Sequence, residues 1–148
     1  MIVDDLIRDE GFRPYAYRDS EGYLTIGIGF LIDPEHKGRV PMPKNVAMLW
    51  LLDILNGRKK ELDQRLPWWR DLDADRQRAL LNMSYQLGVT GLLKFQRMLV
   101  ALKAKDYYNA AKEALDSKWA KQTPARAKRV ATLLRGEEHE TIGNQESR

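Results

Sequence analysis

The hydrophobic period of this chain changes near its start, and that change constrains the fold more than any other feature. From Tyr15 to Leu31 the pattern repeats every second residue. Because side chains alternate between the two faces of a strand, this period predicts a strand with one buried face. The face expected to be buried carries Leu24, Ile26, Ile28 and Phe30, and the opposite face carries Tyr23, Thr25, Gly27 and Gly29.

A turn and a short helix are predicted on the N-terminal side of this strand. The run Asp19-Ser20-Glu21-Gly22 is typical of a tight turn, which predicts a hairpin with Asp19 at the end of its first strand. Residues 2–10 have apolar positions at helical spacing, and Gly11 is a suitable helix stop. We therefore expect Glu10 in the last turn of a short helix.

The rest of the chain predicts helices. Prolines and Gly38 make the stretch from Asp33 to Pro43 a connector, and Thr123-Pro124 is the start signal of a last helix that ends near Leu134. Between them, residues at helical spacing form four stripes. These are Met48, Leu49, Leu52 and Leu55; Leu80, Met83 and Leu87 after an N-cap at Asp73 or Asp75; Leu92, Phe95, Leu99 and Leu102; and Tyr107, Ala110, Ala111, Ala114 and Leu115. Because the predicted strands come in one part of the chain and most of the predicted helices in another, we expect an α+β fold.

Composition excludes several classes of site. Cysteine is absent and histidine occurs twice, so disulfides, thiol nucleophiles and a Cys/His zinc site are not expected, and we expect no metal or other cofactor. The net charge of +4 suits an acidic partner, either nucleic acid, an anionic membrane surface or a bacterial wall polymer. No nucleic-acid-binding motif accompanies the basic stretch from Lys118 to Arg135, whose apolar positions fit an amphipathic helix. We therefore do not expect nucleic acid as the partner.

Targeting signals are not apparent in the sequence. Acidic residues interrupt the N-terminus before a signal-peptide core can form, and the longest apolar run, Val46 to Leu52, is too short to span a bilayer. We expect the chain to remain in the compartment where it is made.

Two carboxylates have environments that differ. The negative end of the helix and desolvation by Leu6 and Ile7 are expected to favour the protonated form of Glu10. Asp19, on a turn, is expected to be more hydrated and ionised. Such a pair is what glycoside hydrolysis requires, since one carboxyl protonates the leaving oxygen and the other acts on water. Gly27 and Gly29 would let a bulky ligand approach the strand.

Several spaced motifs resemble the T4-type phage lysozymes, glycoside hydrolase family 24. The resemblance covers most of the chain in the same order, with the region from about Asp33 to Arg70 shorter and divergent. The matching motifs are Glu10-Gly11, Tyr17-Arg18-Asp19, Glu21-Gly22-Tyr23, Thr25-Ile26-Gly27-Ile28-Gly29, Asn82-Met83, Gln86-Leu87-Gly88, Thr90-Gly91, Trp119, Gln122-Thr123-Pro124 and Arg126-Ala127-Lys128-Arg129-Val130.

This resemblance implies roles for individual residues. Glu10 would be the general acid, Asp19 the carboxylate acting on the attacking water, and Thr25 the hydroxyl that helps to position that water, with inversion at the anomeric carbon. Phe30 stands where the family's type enzyme has a histidine, and of the cleft residues Met98, Glu113 and Lys118 only the last keeps the family's character. The substrate-binding residues implied are Glu21, Gly29, Leu31, Tyr85, Gln86, Met98, Glu113, Lys118, Thr123 and Arg126.

The resemblance also implies an organisation and a biological role. Residues 1–148 would form a single lysozyme-like domain with an N-terminal lobe of about 12–58, a helical lobe of 1–11 and about 59–136, and a flexible tail at 137–148. It would be a monomeric muramidase that cleaves the β-1,4 bond between N-acetylmuramic acid and N-acetylglucosamine in bacterial peptidoglycan. As an endolysin it would wait in the host cytoplasm for a holin. Two alternatives stay open: a lytic transglycosylase, which needs a single Glu, and a non-catalytic glycan-binding module.

Overall fold

The computed structural model describes residues 1–32 and 42–136. The chain divides into two compact units, Met1–Met48 and Leu49–Arg148. A small antiparallel sheet lies in the first unit and most of the helices lie in the second, so the predicted α+β class is confirmed. The lobe boundaries stay a prediction, and most of the predicted connector and the whole predicted tail, residues 33–41 and 137–148, lie outside the described residues.

The first helix, α1, spans Ile2–Glu10 and confirms the predicted boundaries. Asp4 and Asp5 lie in its first turn, where carboxylates interact favourably with the helix dipole. It ends at Gly11, whose φ of 72° is a conformation that side chains disfavour and whose N–H donates to the Ile7 carbonyl at 2.8 Å. Glu10 is therefore the last helical residue, as expected.

Three strands follow within the described residues, in the spatial order β1-β2-β3. They are β1 (Arg13–Arg18), β2 (Leu24–Gly27) and β3 (Phe30–Leu31). Asp19 directly follows β1, which confirms the predicted hairpin. The prediction of one continuous strand to Leu31 was wrong, because Gly27 and Gly29 adopt φ values of 71° and 70° and turn the chain between β2 and β3. The alternating pattern continues across this turn, so it does not reveal the break.

The predicted buried face of this stretch was also wrong. Thr25, expected on the polar face, is only 2% exposed, whereas Phe30, expected to be buried, is 61% exposed. Thr25 lies in the central strand and pairs with Tyr17 on one side and Leu31 on the other. Phe30 belongs to the edge strand that begins after the glycine turn, so the alternation within β2 does not determine its burial.

Helix α2 spans Lys44–Arg65. The stripe predicted along its first half does not form a buried face. Met48, Leu49 and Leu52 are all more than half exposed, so this prediction was wrong. The run from Val46 to Leu52 contains seven consecutive apolar residues, which surround the helix instead of forming one face. The buried core of the second unit begins further along α2, at Leu62.

In its described part, the second unit contains most of α2, a short 3-10 helix, Pro67–Asp71, and five further α-helices. In it α7 packs against α3, α5 and α6, and α4 packs against α5. The remaining predicted stripes contribute Leu80, Met83, Leu99 and Leu102 to its core, and the three alanines of α5 are also buried. The helices are α3 (Ala74–Leu92), α4 (Gln96–Lys103), α5 (Tyr107–Leu115), α6 (Lys118–Gln122) and α7 (Pro124–Arg135). Within the described ranges no helix is both long and apolar enough to cross a membrane.

One buried arginine connects three of these helices. The Nε atom of Arg76 donates to the Leu134 carbonyl at the end of α7 at 2.8 Å, and its guanidinium lies 3.9 Å from the centre of the Tyr107 ring in α5. A further bond of 3.0 Å to Asp73 balances its charge. Because the charge is paired and two of the guanidinium nitrogens donate hydrogen bonds, the cost of burying this side chain is reduced.

Trp69 is fully buried, and its indole N–H donates to the Asp63 carboxylate at 2.7 Å. Arg70 donates to the same carboxylate at 2.8 and 3.2 Å. The hydrogen bond from Arg70, followed by the one from Trp69, lowers the pKa of Asp63 from its ordinary value of 3.8. The ionised carboxylate therefore anchors the 3-10 helix to α2.

We predict that Asp63→Asn lowers the melting temperature at neutral pH and that the difference from wild type shrinks in acid. A carboxylate whose pKa is lowered by folding contributes stability above its unfolded pKa, and this contribution is lost as the pH falls below 3.8. Thermal unfolding of both proteins from pH 7 to pH 3 would measure this convergence. Parallel curves across that range would contradict it.

Candidate active site

The carboxylate of Asp19 is fixed by the turn that follows it. Its Oδ1 atom accepts the backbone N–H groups of Glu21 at 2.9 Å and Tyr23 at 2.8 Å. The Gly22 N–H donates to the Asp19 carbonyl at 3.0 Å, which closes the turn. Within the part of the chain that the structure describes, Oδ2 forms no hydrogen bond. One oxygen therefore holds the loop, and the other is available to a water molecule or a ligand.

The backbone of Tyr23 links Asp19 to Thr25. The Tyr23 carbonyl accepts the Asp19 N–H at 2.9 Å and the Thr25 hydroxyl at 3.0 Å, while the Tyr23 N–H binds the Asp19 carboxylate. One peptide thus sets the positions of both side chains. Sequence reasoning missed this role because it uses main-chain groups that any residue carries. The only signal was the spacing, since Tyr23 lies four residues after the aspartate and two before the threonine.

Thr25 is held as a hydrogen-bond acceptor. Its hydroxyl proton is donated to the Tyr23 carbonyl, so only its oxygen lone pairs remain for another partner. Its side chain is almost fully buried in the central strand. A water molecule bound there would donate its hydrogen bond to Thr25.

The Glu10 carboxylate lies against the turn between β2 and β3. A side-chain carbon added to Gly29 would be 2.7 Å from Oε2 of Glu10 and 3.0 Å from its carboxyl carbon. The carboxylate therefore occupies the space that a side chain at position 29 would fill. Glu10 is exposed, as are Leu6 and Ile7, so the desolvation that we expected these two side chains to give the acid was wrong. The alternation of apolar and acidic residues in α1 does not reveal this exposure.

The three predicted catalytic residues thus all lie in the first unit, on or beside one small sheet. Two of the predicted substrate-binding residues there belong to the same elements. Glu21 supplies an N–H to Asp19 and has an exposed side chain, and Leu31 pairs with Thr25 from β3 and is about half exposed.

A cavity of about 770 Å³ lies in the second unit. Three of the predicted substrate-binding residues line it, namely Met98, Glu113 and Lys118. Met98 is almost fully buried and also belongs to the core, while Lys118 is exposed. The volume is in the range of pockets that hold small ligands, and its walls combine apolar surface with charges of both signs.

Trp119 connects two further predicted residues to this cavity. Its indole N–H donates to the Gln86 side chain at 2.8 Å, and its carbonyl accepts the Thr123 hydroxyl at 3.0 Å. Its ring meets Phe95 edge to face, with centroids 5.8 Å apart. Sequence reasoning noted Trp119 only as part of a motif. A tryptophan followed by Gln-Thr-Pro was the available signal.

The last two predicted substrate-binding residues lie on α3 and α7. Tyr85 is 41% exposed on α3, so its aromatic ring is accessible. Arg126 donates from Nε to Oδ1 of Asn82 at 2.8 Å, and from its terminal nitrogen to the Asn82 carbonyl at 3.2 Å. Its partner in the structure is thus a residue of its own unit, and the expected position of Arg126 near the acid stays a prediction.

Comparison with known proteins identifies the family. A family profile described as phage lysozyme matches residues 8–140. The chain belongs to the phage lysozyme family. That match contains the acid, the hairpin with its turn and the aromatic cluster around Trp119, so it covers both units.

Individual relatives agree with this assignment. The chain is 34% identical to the pre-baseplate central spike protein of Enterobacteria phage T4 over 157 residues, which is 90% of this chain and 27% of that protein. It is 30% and 29% identical to two probable T4-type lysozymes of Dictyostelium discoideum, over 90% of this chain and 92% of each relative. The chain therefore spans about a quarter of the spike protein and nearly the full length of the Dictyostelium proteins.

We predict that Asp19→Ala opens the turn, whereas Asp19→Asn keeps it. Asparagine retains an oxygen that can accept the two N–H groups of Glu21 and Tyr23, and alanine does not. Loss of these bonds should cost about 1–3 kcal/mol locally. Amide hydrogen exchange would detect faster exchange at Glu21 and Tyr23 in the alanine variant alone. Equal protection of these two amides in both variants would contradict the role given to Oδ1.

Proposed function

We propose that this protein is a muramidase that hydrolyses the β-1,4 bond between N-acetylmuramic acid and N-acetylglucosamine in bacterial peptidoglycan. The observation that carries the proposal is the coupling of Asp19 and Thr25 through the Tyr23 peptide, on the same sheet whose glycine turn contacts Glu10. Membership of the phage lysozyme family and similarity to probable T4-type lysozymes support the glycosidase activity.

The proposed reaction uses the two carboxylates differently. Glu10 donates a proton to the glycosidic oxygen as the bond to the leaving sugar breaks. The Oδ2 atom of Asp19 accepts a proton from the water that attacks the anomeric carbon. Thr25 accepts a hydrogen bond from that water because its own proton is already donated. Attack from the face opposite the leaving group inverts the anomeric configuration.

The second unit contributes proposed substrate contacts of its own. Met98, Glu113 and Lys118 in the cavity would contact the glycan or its peptide. Gln86 and Thr123 are held beside this cavity by Trp119. The net charge of +4 favours approach to an anionic wall. The other proposed contacts are Glu21, Gly29, Leu31, Tyr85 and Arg126.

The proposed biological role is lysis of a bacterial host. In this role the protein acts as a monomer, stays in the host cytoplasm and reaches the wall after a holin permeabilises the membrane. The phage lysozyme family assignment supports this role. A lytic transglycosylase and a non-catalytic glycan-binding module are the alternative functions.

We predict that Glu10→Gln lowers the rate of peptidoglycan hydrolysis by about 10²- to 10⁴-fold, the range typical of a general acid. Asp9→Asn is the matched control, because it removes the neighbouring carboxylate of α1, whose ion-pair partner is Arg8 at the surface. Release of soluble fragments from purified peptidoglycan would be measured for both variants. A near-normal rate for Glu10→Gln would reject the assignment of the acid.

We predict that the products of the wild-type reaction carry reducing N-acetylmuramic acid ends and that Asp19→Asn forms them at least 100-fold more slowly. The variant keeps the turn but loses the negative charge that receives the proton from water. Mass spectrometry of the released muropeptides would measure both effects. Anhydro ends would indicate a transglycosylase. Wall binding without cleavage would indicate a glycan-binding module.

A further inference from the structure

We infer that Gly29 is a positioning residue for Glu10, and that its missing side chain is what allows the acid to lie against the β2–β3 turn. The inference rests on the proposed function of Glu10 as the proton donor. This positioning role is separate from the substrate contact proposed above for Gly29. Position 29 would determine where the carboxylate is held before any sugar binds.

The first observation is the space itself. A carbon at the side-chain position of Gly29 would be 2.7 Å from Oε2, 3.0 Å from Cδ and 3.4 Å from Cγ of Glu10. The distances to Oε2 and Cδ are shorter than van der Waals contact, so any side chain at position 29 would displace the carboxylate. Gly29 also has a φ of 70°, which glycine adopts without strain.

A second observation concerns how the turn keeps its shape. A side-chain carbon at Gly27 would be 2.8 Å from Cδ2 of Phe30, so the Phe30 ring lies directly on the Gly27 backbone. The turn thus contacts an aromatic ring at one glycine and the catalytic carboxylate at the other.

The third observation is that residues 1–32, the described residues around Glu10 in its own unit, give its carboxylate no hydrogen bond or ion pair. Glu10 is the last residue of α1, and its side chain has three rotatable bonds. Packing against Gly29 therefore limits the positions of the carboxylate within this part of the chain. A proton donor must be within hydrogen-bond reach of the glycosidic oxygen, and a displacement of about 1 Å can lower the rate about 100-fold.

The kinetic test compares Gly29→Ala with Gly88→Ala. Gly88 has a φ of 73°, close to that of Gly29, but a side-chain carbon there would have no neighbour within 4 Å. The control therefore carries the same backbone strain without the contact. We expect Gly29→Ala to lower kcat about 10- to 100-fold, a larger effect than its change in KM, and Gly88→Ala to lower kcat less than about 3-fold. Equal kcat values for the two variants would overturn the inference.

A second test does not depend on activity. If the Glu10 carboxylate occupies the space at position 29, Gly29→Ala should lower the melting temperature less in a Glu10→Ala background than in wild type. Gly88→Ala should lower it equally in both backgrounds. Should Gly29→Ala alone fail to fold, folding of the Glu10→Ala/Gly29→Ala double variant supports the contact, and failure of both variants overturns it.

The two tests separate the inference from the function on which it rests. A wild-type protein that does not cleave peptidoglycan would reject the proposed function, while the melting temperatures would still decide whether Glu10 and Gly29 interact. An active wild type whose stability effects at positions 10 and 29 are additive would reject the inference alone.

Discussion

One carboxylate oxygen of Asp19 accepts two backbone N–H groups, and the first unit depends on this constraint. It fixes the turn after β1, and the same turn brings the Tyr23 carbonyl to the Asp19 N–H and to the Thr25 hydroxyl. A short hairpin has little core of its own, so a side chain that satisfies two donors supplies order that apolar packing does not. The residue proposed to act on water is therefore also the residue that shapes its own loop, and Asp19→Asn can separate these two roles.

The elements that the sequence predicted well are those with a local signal. Helix α1, the hairpin turn, α5 and the start of α7 at Thr123-Pro124 all have caps, glycines or regular spacing, and each appears close to its expected position. Two predictions were wrong, namely a buried stripe along α2 and one continuous strand to Leu31. An apolar run or an alternating pattern does not specify which elements lie opposite it. The β2–β3 turn is set by two glycine φ angles, and the burial of Thr25 by its neighbours on both sides in the sheet.

The sequence indicated candidate residues for the site, but not the contacts that hold them. The motifs indicated Glu10, Asp19 and Thr25, because acids and a hydroxyl at those spacings resemble a family of glycosidases. The motifs contain no information on the Tyr23 peptide, the Gly29 contact or the bond from Trp119 to Gln86. These depend on main-chain geometry or on residues far apart in the sequence. Positions within the 770 Å³ cavity likewise required the packed helices of the second unit.

The exposure of Glu10 changes the explanation of how such an acid works. Glu10 is exposed and lies over a glycine, so its own helix does not shield the carboxyl group from water. In the proposed mechanism the glycan would exclude water from this group by binding against the β2–β3 turn. The contribution of the protein would then be the position of the carboxyl group. Position matters more than burial for this acid, and the side-chain-free turn at Gly29 provides the position.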